Sequence, residues 1–147
     1  MKRMFPLIPA IFAAASLVGC GDSSSSSDSN GVEENFDCNL ASDGVKVFAP
    51  KGGEVFRLGD SVEIVFVAKY KNAGGFKVYY KADEEDSGTN LFSTSIGEEA
   101  PNGTSCTTVS AYLDPENVKP SDKAFIRVEA YNSGKIRGNS ETFTVKE

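Results

Sequence analysis

From residue 43 onward the chain alternates apolar and polar positions in short runs, each cut off by turn residues. Val45, Val47 and Ala49 alternate with Lys46 and Phe48, the two-residue period of a half-buried strand. Pro50 and Gly52-Gly53 reverse the chain, because proline fixes φ without offering an N–H and glycine accepts positive φ. A short strand at Glu54-Val55-Phe56 leads to a second turn at Leu58-Gly59-Asp60. From Ser61 the alternation is regular, with Val62, Ile64, Phe66 and Ala68 on one face. Val65 and Val67 fall on the other, which predicts a strand covered in part on both sides.

Further runs follow with the same period. Phe76, Val78 and Tyr80 alternate with Lys77, Tyr79 and Lys81, and Leu91 to Ile96 reads as a short strand. Val109, Ala111 and Leu113 make another, and Ala124, Ile126, Val128 and Ala130 alternate with Phe125, Arg127, Glu129 and Tyr131. Asn132 to Asn139 reads as a connection into a last strand, Glu141 to Lys146. Turn signals separate the runs, at Asn72 to Gly75, Asp83 to Gly88, Gly97 to Ser105 and Pro115 to Asp122. About seven short strands without a helical pattern predict an all-β fold, an antiparallel β-sandwich over residues 43–147.

The first 42 residues have a different character. Lys2 and Arg3 precede an apolar stretch, Leu7 to Val18, and Leu17-Val18-Gly19-Cys20 reads as a lipobox. Residues 1–19 are therefore expected to be a lipoprotein signal peptide, and Cys20 the acceptor of a diacylglyceryl thioether that moors the chain to a membrane. The stretch falls short of the roughly 20 apolar residues that span a bilayer. Residues 20–42 are expected to be a tether, with serines at 23 to 27 and the acids Asp22, Asp28, Glu33, Glu34 and Asp37 unrelieved by any base. Losing Lys2 and Arg3 with the signal takes the net charge from −6 to −8. In a Gram-negative host, Gly21 in place of Asp after the lipidated cysteine directs the protein to the outer membrane.

With Cys20 acylated, Cys38 and Cys106 remain as an even pair in an exported, oxidising setting. A disulfide between them is expected, closing a loop of about 69 residues and worth on the order of 4 kcal/mol by chain entropy.

The chain contains no histidine, which removes the commonest general base, metal ligand and partner of a nucleophile. Its acids lie in loops and on outward positions, so a non-enzyme is expected, without cofactor or metal. Asp83-Glu84-Glu85-Asp86 could gather oxygens for Ca²⁺, but adjacent carboxylates point apart and a solvated loop is the simpler reading. The acidic balance argues against nucleic acid.

The segment Val45 to Phe66 resembles the opening of a family of immunoglobulin-like modules found in bacterial secreted proteins and in fungal cell-wall glucan-assembly proteins, many of them anchored through Ser/Thr-rich stretches. Pro50, Gly52, Gly53, Glu54, Gly59, Asp60, Val62 and Ile64 fall in step with the family pattern, and Phe66 stands where the family carries Trp. The segments SDKAFIRVEAY and SETFTV resemble its last strands.

In such a sandwich the third and sixth strands are neighbours, which places Lys77, Tyr79, Arg127 and Tyr131 on one outward surface beside Lys81, Phe125 and Glu129. Rings flanked by charged groups suit a sugar or a protein partner. Two roles are expected of the anchored domain: a binding or adhesion module, for which the resemblance favours polysaccharide, or a structural or assembly lipoprotein that binds another envelope protein.

Overall fold

The computed structural model describes residues 34–95 and 102–147. The signal segment, Cys20 and the first part of the tether lie outside the described residues, as does most of the turn expected from Gly97. Nine strands run in order as β1 (Gly44–Ala49), β2 (Val55–Arg57), β3 (Ser61–Lys69), β4 (Gly75–Lys81), β5 (Thr89–Ser95), β6 (Asn102–Tyr112), β7 (Ser121–Ala130), β8 (Ser133–Asn139) and β9 (Phe143–Lys146). They form two sheets, β1-β3-β6 and β2-β9-β7-β4-β5, with β8 also on β7. This is an immunoglobulin-like order, antiparallel except where β2 runs parallel to β9.

The turns form for the reasons their residues suggest. Gly53 and Gly59 sit at φ of 81° and 93°, each third in a four-residue turn closed by a backbone bond, Glu54 N–H to Lys51 O and Asp60 N–H to Arg57 O. The acids lock the same turns from the other side: Lys51 N–H donates to Glu54 Oε2 and Arg57 N–H to Asp60 Oδ2, both at 2.7 Å.

Between the sheets lies one core. Val62, Ile64 and Phe66 of β3 meet Phe76, Val78 and Tyr80 of β4 and Ala124, Ile126 and Val128 of β7, all buried, with Leu113, Phe143 and Val145 closing it. The edge-to-face pair of Phe56 on Phe143 and the tilted pair of Phe66 on Phe76 fill its ends, at centroid separations of 5.5 and 6.0 Å. The buried Tyr80 hydroxyl donates to Lys119 O at 2.5 Å, and burial, aided by Asp86, pushes its pKa up to about 12. The whole core falls inside the compact unit Glu34–Glu147, which also contains both bridging cysteines and so carries what it needs to fold alone.

Two segments differ most from the sequence reading. Ser133–Asn139, expected as a connection, is a strand. It and β9 pair with the same side of β7 in succession, and the break between them falls at Ser140, whose Oγ accepts from Ile126 N–H at 2.9 Å while its own N–H returns a bond to Ile126 O. Strand β6 begins at Asn102 rather than near Thr108, because Lys69 pairs with Asn102 and Val67 with Cys106. The Asn102-Gly103 signal marks the start of the strand beside a register shift in its pairing with β3, with Gly103 at φ 75°.

Residues 34–42 run along the domain. The disulfide joins Cys38 to Cys106 with Cα atoms 5.2 Å apart, Leu40 N–H bonds Gly103 O at 2.8 Å, and Lys69 Nζ reaches Ala41 O at 2.9 Å. Glu34 forms an ion pair with Lys51, and Phe36 stacks on Phe48 at 5.0 Å. Phe36, Cys38 and Leu40 are half-buried, with exposed residues between them, so the segment is an extended strap. Cys106 stands opposite Val67 in the ladder, which puts the strap on the outward face of β3. There Val65 and Val67 are buried, as the two-sided apolar pattern implies.

Candidate functional site

The outward surface of the other sheet is built by the pairing of β4 with β7. Tyr79 stands opposite Arg127, Lys77 opposite Glu129 and Lys81 opposite Phe125, while Phe76, Val78 and Tyr80 face inward against Ala130, Val128 and Ile126. Strands β8 and β5 extend the rows on either side. One runs Asn139, Arg127, Tyr79, Asn90 and the next Arg137, Glu129, Lys77, Ser93. Tyr131 follows β7, tied by its N–H to Gly75 O at 3.0 Å, and its ring lies 5.4 Å from Lys77 Nζ. Lys77, Tyr79, Arg127 and Tyr131, the four residues singled out by alternation, therefore lie together on one patch.

Phe125 plays a different part from an open ring. It is 3 % exposed although it points outward, because Arg127 lies over it with Cζ 5.5 Å from its centroid and Lys81 Nζ stands at 5.9 Å. Lys81 is itself 6 % exposed and donates to Glu84 O at 3.5 Å. Arg127 is also held at its Nε, which donates to Asn139 Oδ1 at 2.9 Å. Tyr131, at 38 % exposure, is the ring most open to a ligand on this patch. The patch presents three cations at its surface, Lys77, Arg127 and Arg137, against the carboxylate of Glu129, while Lys81 is buried.

Beyond Phe125 the surface dips into an open depression of about 450 Å³ lined by Asp83, Glu84, Glu85, Lys123, Phe125 and Thr142. The acids of this loop mainly hold the loop. Asp83 Oδ1 accepts from the N–H groups of Glu85 and Asp86, and Asp86 accepts from Ala82 N–H at 2.8 Å and Gly88 N–H at 3.1 Å. The Ala82 bond does most to hold the Asp86 carboxyl below the usual carboxylate range. Among the described residues no three His, Cys, Asp or Glu side chains converge as metal ligands would.

No family model matches the chain, and no curated protein matches it.

Sequence reasoning missed how Arg127 and Asn139 come together, since β8 reads as a connection with two glycines. The available signal was the alternation of Lys135, Arg137 and Asn139 with Ile136 and Gly138, in which Ile136 packs against the core.

Proposed function

We propose that this protein is a lipoprotein, anchored to the cell envelope through Cys20, whose immunoglobulin-like sandwich is a non-catalytic binding or adhesion module for polysaccharide. By the residues from Pro50 to Ile64 we group it with the anchored immunoglobulin-like modules that it resembles. The observation carrying the binding reading is the patch itself, where Lys77, Tyr79, Arg127 and Tyr131 share adjacent positions of two paired strands. Rings that cover C–H faces, set beside cations that bond hydroxyls or carboxylates, are what a sugar chain requires. The lack of histidine supports a non-catalytic role.

The test is co-sedimentation of the unit Glu34–Glu147 with insoluble polysaccharides. Retention of the native unit is expected, with loss in Tyr79→Ala and Tyr131→Ala at unchanged circular dichroism. Retention that survives both substitutions would remove this patch from consideration.

A second reading, an assembly lipoprotein that binds another envelope protein, is favoured by one feature. Strands β5 and β6 are sheet edges without a charged residue in eighteen positions, where the chain average would place roughly four. An uncharged edge accepts an added strand from a partner. A protein cross-linked at β6, with no polysaccharide retained, is the outcome that selects this role.

A further inference from the structure

Building on the polysaccharide-binding reading of this patch, we infer that the ligand is an acidic polysaccharide, with one sugar carboxylate held by the Arg127 guanidinium and a pyranose ring further along the polymer laid against Tyr131, about 13 Å away along β7. Arg127 is fixed in place before any ligand arrives. Its Nε is spent on Asn139 and its Cζ lies 5.5 Å from the centroid of the Phe125 ring. Among the described residues its two terminal amino groups make no hydrogen bond and no ion pair, although Glu129 stands two positions along the same strand face. A fork already ordered and left without a carboxylate matches the two oxygens of one, and its fixed rotamer lowers the entropic cost of binding.

Lys77 reinforces the choice of charge. It is the diagonal neighbour of Arg127, about 7–8 Å away by antiparallel geometry, and it too lacks an ion pair among the described residues. The patch is thus a cationic surface on a chain whose net charge is −6. The acids at Asp83 to Glu85 border the far end beyond Phe125 and repel an anion there, so the ligand lies over Arg127, Lys77 and Arg137. Nucleic acid fits less well, because a strand stacks successive bases on several open rings, and with Phe125 covered by Arg127 the patch offers chiefly Tyr131. An acidic polypeptide would satisfy the cations but offers no flat C–H surface for Tyr131.

Affinity electrophoresis of the unit Glu34–Glu147 tests this directly, in gels containing polygalacturonate, its fully methyl-esterified form, or polyglutamate. Retardation by polygalacturonate alone is expected, falling with added salt. Arg127→Gln should weaken it by roughly tenfold or more, and Arg127→Lys, which keeps the charge without the fork, by less. Lys77→Gln repeats the test independently should Arg127→Gln disturb the fold, as read by circular dichroism. Equal retardation by the methyl ester would overturn the acidic ligand and leave a polysaccharide-binding module standing. Equal retardation by polyglutamate would overturn it in favour of an acidic polypeptide, and retardation by neither sugar polymer would remove both this inference and the reading beneath it.

Discussion

The acids of this chain divide by what their oxygens touch. Asp86 spends both of its oxygens on backbone N–H groups of its own loop, and those bonds keep it ionised at lower pH than an ordinary carboxylate. A group with a lowered folded pKa contributes stability that is whole above its unfolded pKa, near 4, and is lost as pH falls through the folded value. Asp86→Ala should therefore lower the melting temperature at pH 7, by a few degrees if the partly exposed bonds are worth about 1–2 kcal/mol. The gap from the native unit should narrow as the pH falls past the unfolded pKa and through the lower folded one. Melting curves from pH 2.5 to 7 check this, and a gap that stays constant across that range contradicts it. Arg127 shows the converse arrangement, a charge held by an aromatic ring and an amide with its fork left to solvent.

At the scale of elements, the strap is the feature that changes the picture of the chain. Its alternation of Phe36, Cys38 and Leu40 is present in the sequence, but it follows acidic and serine-rich residues, and the composition of that stretch reads as a spacer. The strap covers the outward side of β3 and explains why Val65 and Val67 are apolar on what would otherwise be a wet face. Replacing Cys38 and Cys106 by serine should cost on the order of 4 kcal/mol and open residues 34–42 to proteolysis, while β4 and β7 keep their structure. Limited proteolysis with mass spectrometry reads the outcome. Cleavage no faster than in the native unit would mean that the other strap contacts suffice. Strand β8 was hidden for a related reason. Gly134 and Gly138 weaken its strand signal, yet a Cβ at Gly138 would collide with Val45 O, so the close approach of β1 demands glycine there.

For the molecule as a whole, the two-layer fold and the membership of the patch were legible because β4 and β7 alternate without a break. An inward Val78 or Ile126 fixes an outward Tyr79 or Arg127. Alternation could not show which outward residues are open. Phe125 and Lys81 are covered by their neighbours, while Tyr131, past the end of the strand, stays accessible. The sandwich thereby separates two surfaces: the strap lies on the β1-β3-β6 sheet, and the cationic patch faces away from it on the other. A chain that enters along one sheet leaves the outward surface of the opposite sheet uncovered by the strap.

Amide chemical shifts of the unit Glu34–Glu147, followed during titration with galacturonate oligosaccharides, report most directly on this arrangement. Changes should concentrate at Lys77, Tyr79, Arg127 and Tyr131 and leave the strap and β3 still. Changes centred on Cys38, Val67 or the β6 edge would place binding on the wrong sheet and contradict the account.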